Sequence, residues 1–145
     1  MSDQAIKDVP VGVVVVTHTD YGGRLLKAAE CILGPQEHCR SISVDMSHEV
    51  DLTLAALKTA IKETDQGAGV LVLTDMFGGT PTNLSLSLLG TGRLEVLTGV
   101  NLPMLIKILG SRTKALEPLA VEAKQAGCQG IVVAGEVLRK KVSEG

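Results

Sequence analysis

The chain has 145 residues, 45% of them hydrophobic, which is enough to bury one core and near the commonest size of a single domain. Its formal net charge is -2, and its 14 Lys and Arg are scattered rather than gathered in a stripe that would neutralise a phosphate backbone, so nucleic acid is not an expected partner. No apolar run approaches the roughly 20 residues that cross a bilayer, and the opening MSDQAIKDVP lacks the apolar stretch of a signal peptide, which together predict a cytoplasmic protein.

After a polar leader over residues 1–10, VGVVVVT (11–17) reads as a buried strand. GGRLLKAAECIL (22–33) places Leu25, Leu26, Ala29, Ile32 and Leu33 on one helical face, and Gly34-Pro35 ends it. SISVDM (41–46) is the expected second strand, followed by a helix from about 50 to 64 with Leu54, Leu57 and Ile61 facing inward. AGVLVLTD (68–75) is a third buried strand, and the turn MFGG leads into a helix over 80–89. LEVLTGV (94–100) makes strand four, helices follow over 102–110 and 114–126, and QGIVVAG (129–135) reads as a last short strand. The remainder, 136–145, is a polar tail suited to fraying or to lying on a neighbour. Apolar β-branched runs alternating with helical periods predict one doubly wound α/β domain over 11–135, built on a mostly parallel sheet with helices on both faces.

In such open sheets ligands bind beyond the carboxyl ends of the strands, where the strand order reverses. Strand one ends in Thr17-His18 and strand three in Thr74-Asp75. With the common order 2-1-3-4 these strands are neighbours, which brings His18 beside Asp75. A lone histidine there would be an ordinary turn residue. A carboxylate on one ring nitrogen changes that, because it fixes the tautomer, steadies the imidazolium and leaves the other nitrogen free to attack. In DMFGGTPTN (75–83), Gly78 and Gly79 allow a tight turn, Thr80 is a good N-cap and Pro81 suits the first helical position. Free amides at that helix start would hold an anion within reach of His18. No Lys follows the glycines, so this is not a Walker A loop, and no G-x-G-x-x-G follows strand one, which argues against a dinucleotide. A nucleophilic imidazole, an orienting carboxylate and anion-holding amides together describe a phosphoryl carrier.

At these residues the sequence resembles the mannose-family enzyme IIA component of the bacterial phosphoenolpyruvate-dependent sugar phosphotransferase system (PTS). The resemblance covers about 11 to 135 and rests on VVVVTHTDYGGRLLKAAECILG, VLTDMFGGTPTN and LTGVNLPMLIKIL. It implies that His18 is phosphorylated on Nε2, that Asp75 bonds the other ring nitrogen, and that Thr17 and the amides around Gly78, Gly79 and Thr80 surround the phosphoryl group. The implied donor is the histidine-containing phosphocarrier protein and the implied acceptor an enzyme IIB component, with the membrane transporter reached only through such partners. Since no IIB sequence follows, onward transfer is expected to go to a separate protein. The resemblance further implies a homodimer whose last, antiparallel edge strand, here 129–135, crosses to the partner subunit, and it implies no metal or organic cofactor. Phe77 stands where tryptophan is frequent in the family, and Thr19 where glycine is common. Alternatives are a sensor whose phosphorylation state is read by a regulator, and the multiphosphoryl subunit of dihydroxyacetone kinase, whose loop after strand three reads closer to G-S-A.

Several other residues have both a plain and a functional reading. Tyr21 and Phe77, the only aromatics, flank the expected site and are candidate partner contacts. Asn101 precedes Pro103 as a helix cap or a site residue. Arg24 and Lys27 are solvated charges or an attraction for an acidic surface. His38 and His48 read as solvent-facing loop residues, and a metal-dependent hydrolase using His18, Asp20 and His48 lacks any supporting ligand spacing. Cys31, Cys39 and Cys128 are odd in number and have no C-x-x-C spacing, so they are expected to be reduced packing residues.

Overall fold

A computed structural model of the chain describes residues 9–45 and 49–144. The elements, in order, are β1 (Gly12–His18), α1 (Tyr21–Leu33), β2 (Cys39–Val44), α2 (Val50–Thr64), β3 (Val70–Thr74), α3 (Thr80–Leu86), β4 (Leu94–Thr98), α4 (Leu102–Leu109), α5 (Leu116–Gln129) and α6 (Ala134–Glu144). The four strands form one parallel sheet in the order β2-β1-β3-β4, the order expected from sequence.

β1 explains why the run of valines cannot be anything but a central strand. Successive side chains of a strand point to opposite faces, so a strand covered on both sides must be apolar at every position. Val13 and Val15 enter one cluster with Leu71, Leu73, Leu26, Ala29, Leu105, Ile108 and Leu119, beneath α1, α4 and α5. Val14 and Val16 enter the other with Val70, Val72, Leu57, Ala60, Leu84 and Leu88, beneath α2 and α3. Both aromatics lie outside these clusters, Tyr21 at 44% and Phe77 at 78% exposure, so the core is aliphatic throughout. Fully burying each such Val, Leu or Ile contributes about 1.5–3 kcal/mol before the entropy of ordering is set against it.

The element ends differ from expectation for identifiable reasons. β2 begins earlier, at Cys39, because the ladder with β1 starts at the Val13–Cys39 pair; Met46, the expected last residue of that strand, lies outside the described residues. α3 ends at Leu86 rather than 89, since Leu88 and Leu89 donate to the carbonyls three residues back, at Ser85 and Leu86, and the helix tightens into turns. Gly79, not Thr80, occupies the N-cap of α3, with no side-chain cap, and Pro81 falls in its first turn.

The expected last strand at 129–135 is absent from the described chain. α5 continues through Gln129, Ile131–Val133 run exposed with no strand beside them, and α6 begins at Ala134. A strand exists only through a ladder to a neighbour, and no strand of this chain lies against the segment. The expected polar tail is likewise helical, with Val133 O accepting from Glu136 N and Val137 N. Val137, Leu138 and Val142 stand exposed along it. Among the described residues no helix is long and apolar enough to cross a membrane.

Candidate functional site

The turn after β1 is built by Thr17, Thr19 and Gly22. Thr17 is fully buried; its Oγ1 donates to Thr19 O at 3.0 Å and accepts from Gly22 N at 3.0 Å. The only proton of that hydroxyl is thereby committed within the loop, so the Thr17 side chain shapes the turn. Thr19 has φ 58°, a left-handed conformation that costs a β-branched residue about 1–2 kcal/mol. That reversal starts α1 at once, with Gly22 pressed so tightly on the end of β1 that a Cβ there would lie 2.8 Å from Thr17 Oγ1.

The chain runs from β1 outward to β2 and returns to β3 on the other side of β1, so the sheet's switch point lies between β1 and β3. His18 and Asp75 meet there. Asp75 Oδ2 accepts from His18 N at 2.9 Å, lies 2.8 Å from His18 Nδ1 and accepts from Tyr21 Oη at 2.9 Å. Oδ1 of the same carboxylate is buried and has no hydrogen-bond partner among the described residues. Burial pushes the Asp75 carboxyl up, but the hydrogen bonds from the His18 backbone and ring and from Tyr21, with the charge of His18, outweigh it and hold the group below the ordinary carboxylate range. An ionised carboxylate only accepts, so Nδ1 is the protonated ring nitrogen and, in the neutral ring, Nε2 carries the free lone pair. The imidazole side chain is 42% exposed while that of Asp75 is 8% exposed, which leaves the ring open to an incoming molecule over a fixed base.

Gly79 stands beside the Cε1–Nε2 edge of the ring. Its φ is 98°, and a Cβ at this position would lie 3.3 Å from His18 Cε1 and 3.6 Å from Nε2. Only glycine meets both demands, and the start of α3 is thereby brought next to Nε2. Beneath the loop, Thr74 and Thr82 share a hydrogen bond of 2.7 Å between buried hydroxyls, and Thr82 Oγ1 also donates to Met76 O. Sequence reasoning placed Thr74 at the end of the third strand but missed its bond to Thr82 and the bond from Tyr21 to Asp75. The available signal was a threonine at the buried end of β3 facing a second one in the first turn of the next helix.

The remaining candidates disperse. Asn101 is a cap: its Oδ1 accepts from Met104 N at 3.0 Å and its Nδ2 donates to Gly127 O at 3.0 Å. Phe77 projects from the loop after β3, and Arg24 and Lys27 are exposed on α1. His38 is part-buried, with its carbonyl holding Val13 N and Arg112 Nη2. His48 lies outside the described residues, and among those described no three His, Cys, Asp or Glu are grouped to hold a metal ion. Cys31 and Cys128 are exposed, against the expectation of packing residues, because each falls out of phase with the buried face of its helix. Cys39 is partly buried, and that burial pushes its thiol up.

An open α/β domain with a carboxylate-anchored histidine at its switch point is the class that fold and site define. The chain belongs to the EIIA-man family, described as the PTS system fructose IIA component, which residues 12–123 match. It is 31% identical over 124 residues to the PTS system mannose-specific EIIAB component of Escherichia coli K12, covering 83% of this chain and 38% of that protein, so it spans well under half the length of that relative. It is 28% identical over 132 residues to the PTS system fructose-specific EIIA component of Bacillus subtilis, covering 90% of each. Among solved structures, the EIIA component of Streptococcus agalactiae superposes with a TM-score of 0.79 at 28% identity, over 87% of this chain and 98% of that one.

Proposed function

We propose that this protein is a phosphohistidine carrier of the sugar phosphotransferase system, loaded at His18 by the histidine-containing phosphocarrier protein and unloaded to an enzyme IIB component. The observation that carries this reading is the His18–Asp75 pair, whose geometry protonates Nδ1 and leaves Nε2 free beside Gly79. In the forward step the Nε2 lone pair forms the new N–P bond. The P–N bond to the donor's imidazole breaks, and its electron pair returns to that nitrogen. The Nδ1 proton stays between the ring and Asp75, whose charge offsets the positive charge that the ring acquires. The backbone around Gly78, Gly79 and Thr80 lies against the phosphoryl oxygens. Partner proteins approach over the exposed Tyr21 and Phe77, with Arg24 and Lys27 at the rim. No metal or organic cofactor takes part. The reaction belongs to the cytoplasm, and the membrane transporter is met only through partners. A homodimer fits the exposed apolar run Ile131–Val133 and the exposed apolar residues of α6, which a second copy would cover.

Incubation with phosphoenolpyruvate, enzyme I and the phosphocarrier is expected to add one acid-labile phosphate, seen in intact mass and absent from His18→Ala. Labelling that persists in that variant refutes the assignment.

A further inference from the structure

Three donors converge on one oxygen of Asp75, and the third comes from neither the histidine nor the loop after β3. Tyr21 is the first residue of α1, and its ring spans from that helix to a carboxylate 54 positions away in sequence. The left-handed turn at Thr19 and the contact of Gly22 with Thr17 fix where its Cα lies. Because Tyr21 is 44% exposed, water was free to satisfy the hydroxyl, yet it donates to Asp75 at 2.9 Å. Partial burial, the hydrogen bond to Asp75 and the charge of that carboxylate push the phenol up to about 12, so it remains a donor across the neutral range.

We propose that Tyr21 is a positioning residue that shares Asp75 Oδ2 with the His18 ring and thereby limits how strongly the carboxylate supports a phosphorylated imidazole. This rests on the phosphocarrier reading above. An oxygen already accepting from the backbone N–H and a phenol has less charge to offer Nδ1–H. The ring nitrogen then holds its phosphoryl group less tightly and passes it on more readily. Tyr21 acts through Asp75 and needs no contact with the phosphoryl group.

The test pairs Tyr21→Phe, which removes only the oxygen, with Tyr21→Leu, which removes the ring as well. Equilibrium is reached from the phosphorylated phosphocarrier and read by intact mass, and the Nδ1 proton of His18 is followed by NMR in the unphosphorylated protein. The expected result is that both variants shift the equilibrium toward phosphorylated His18 by about 3- to 10-fold, the scale of one hydrogen bond to a charged group shared between two donors. In both, the Nδ1 proton should move downfield as its bond to Asp75 strengthens. An unchanged equilibrium and resonance, a shift the other way, or an effect of Tyr21→Leu alone would overturn the proposal, the last by tracing the effect to ring packing. If the wild type accepts no phosphate on His18, the phosphocarrier reading fails, and the NMR comparison still decides whether Tyr21 competes for Asp75.

Discussion

Replacing Asp75 by asparagine keeps the shape of the side chain and removes its charge. Two unit charges about 4 Å apart interact by about 4 kcal/mol at an effective dielectric of ~20, which is the scale of Asp75's support for a positively charged His18 ring. The ring is 42% exposed, and screening by water lowers the figure to about 2–3 kcal/mol, or roughly 30- to 150-fold in the rate of phosphoryl acceptance. The amide adds a second penalty. Asp75 Oδ2 accepts from three donors, and Oδ1 is buried with no partner among the described residues. In one orientation the new NH2 is a buried donor at the Oδ1 position, and in the other it faces three donors. Either outcome costs about 1–3 kcal/mol of stability. Rapid mixing with labelled phosphocarrier measures the rate, and urea unfolding measures the stability. A variant that accepts phosphate within threefold of the wild-type rate would refute the role given to the carboxylate.

The same carboxylate sets a pH dependence. Its pKa in the folded protein lies below the unfolded value near 3.9, so its contribution is complete above about pH 4 and is lost as pH falls through the folded value. Urea unfolding should therefore show Asp75→Asn less stable than wild type at pH 7 and the gap narrowing below pH 4; a gap independent of pH counts against the tie. Gly79→Ala forces a left-handed alanine whose Cβ crowds the His18 ring at 3.3 Å. The expected cost is about 1–2 kcal/mol, with phosphorylation slowed at least ~10-fold, because backbone and ring must move apart; wild-type labelling kinetics would contradict this placement of the loop. Thr19→Gly should stabilise the fold by about 0.5–1 kcal/mol, the left-handed penalty relieved less the extra entropy of an unfolded glycine, seen as a rise of a few degrees in Tm. A fall in Tm would show that the threonine side chain contributes more than its backbone costs.

How far the sequence anticipated this arrangement depended on whether a feature follows from periodicity or from side-chain direction. Val13–Val16 had to form a doubly covered strand, and the common sheet order 2-1-3-4, taken as the one such a domain adopts, was sufficient to bring His18 and Asp75 together. Hydroxyl groups were harder to read. The sequence does not reveal that the Thr17 proton is committed to Thr19 O, or that the Tyr21 phenol reaches Asp75, because both depend on the left-handed turn at Thr19. The last segment failed for another reason. Ile131–Val133 is β-branched and apolar as a strand should be, but strand formation is decided by a neighbour and not by composition.

The placement of the aromatics has a practical consequence. The chain has no tryptophan and a single tyrosine, so its tyrosine emission arises from one ring, and that ring is hydrogen-bonded to the carboxylate that also anchors His18. A change of charge on the histidine alters the field at the phenol directly, with no background from the aliphatic core. Unlabelled protein therefore has an optical reporter at the point where a phosphoryl group would arrive, and ordinary fluorescence could follow loading and unloading in real time.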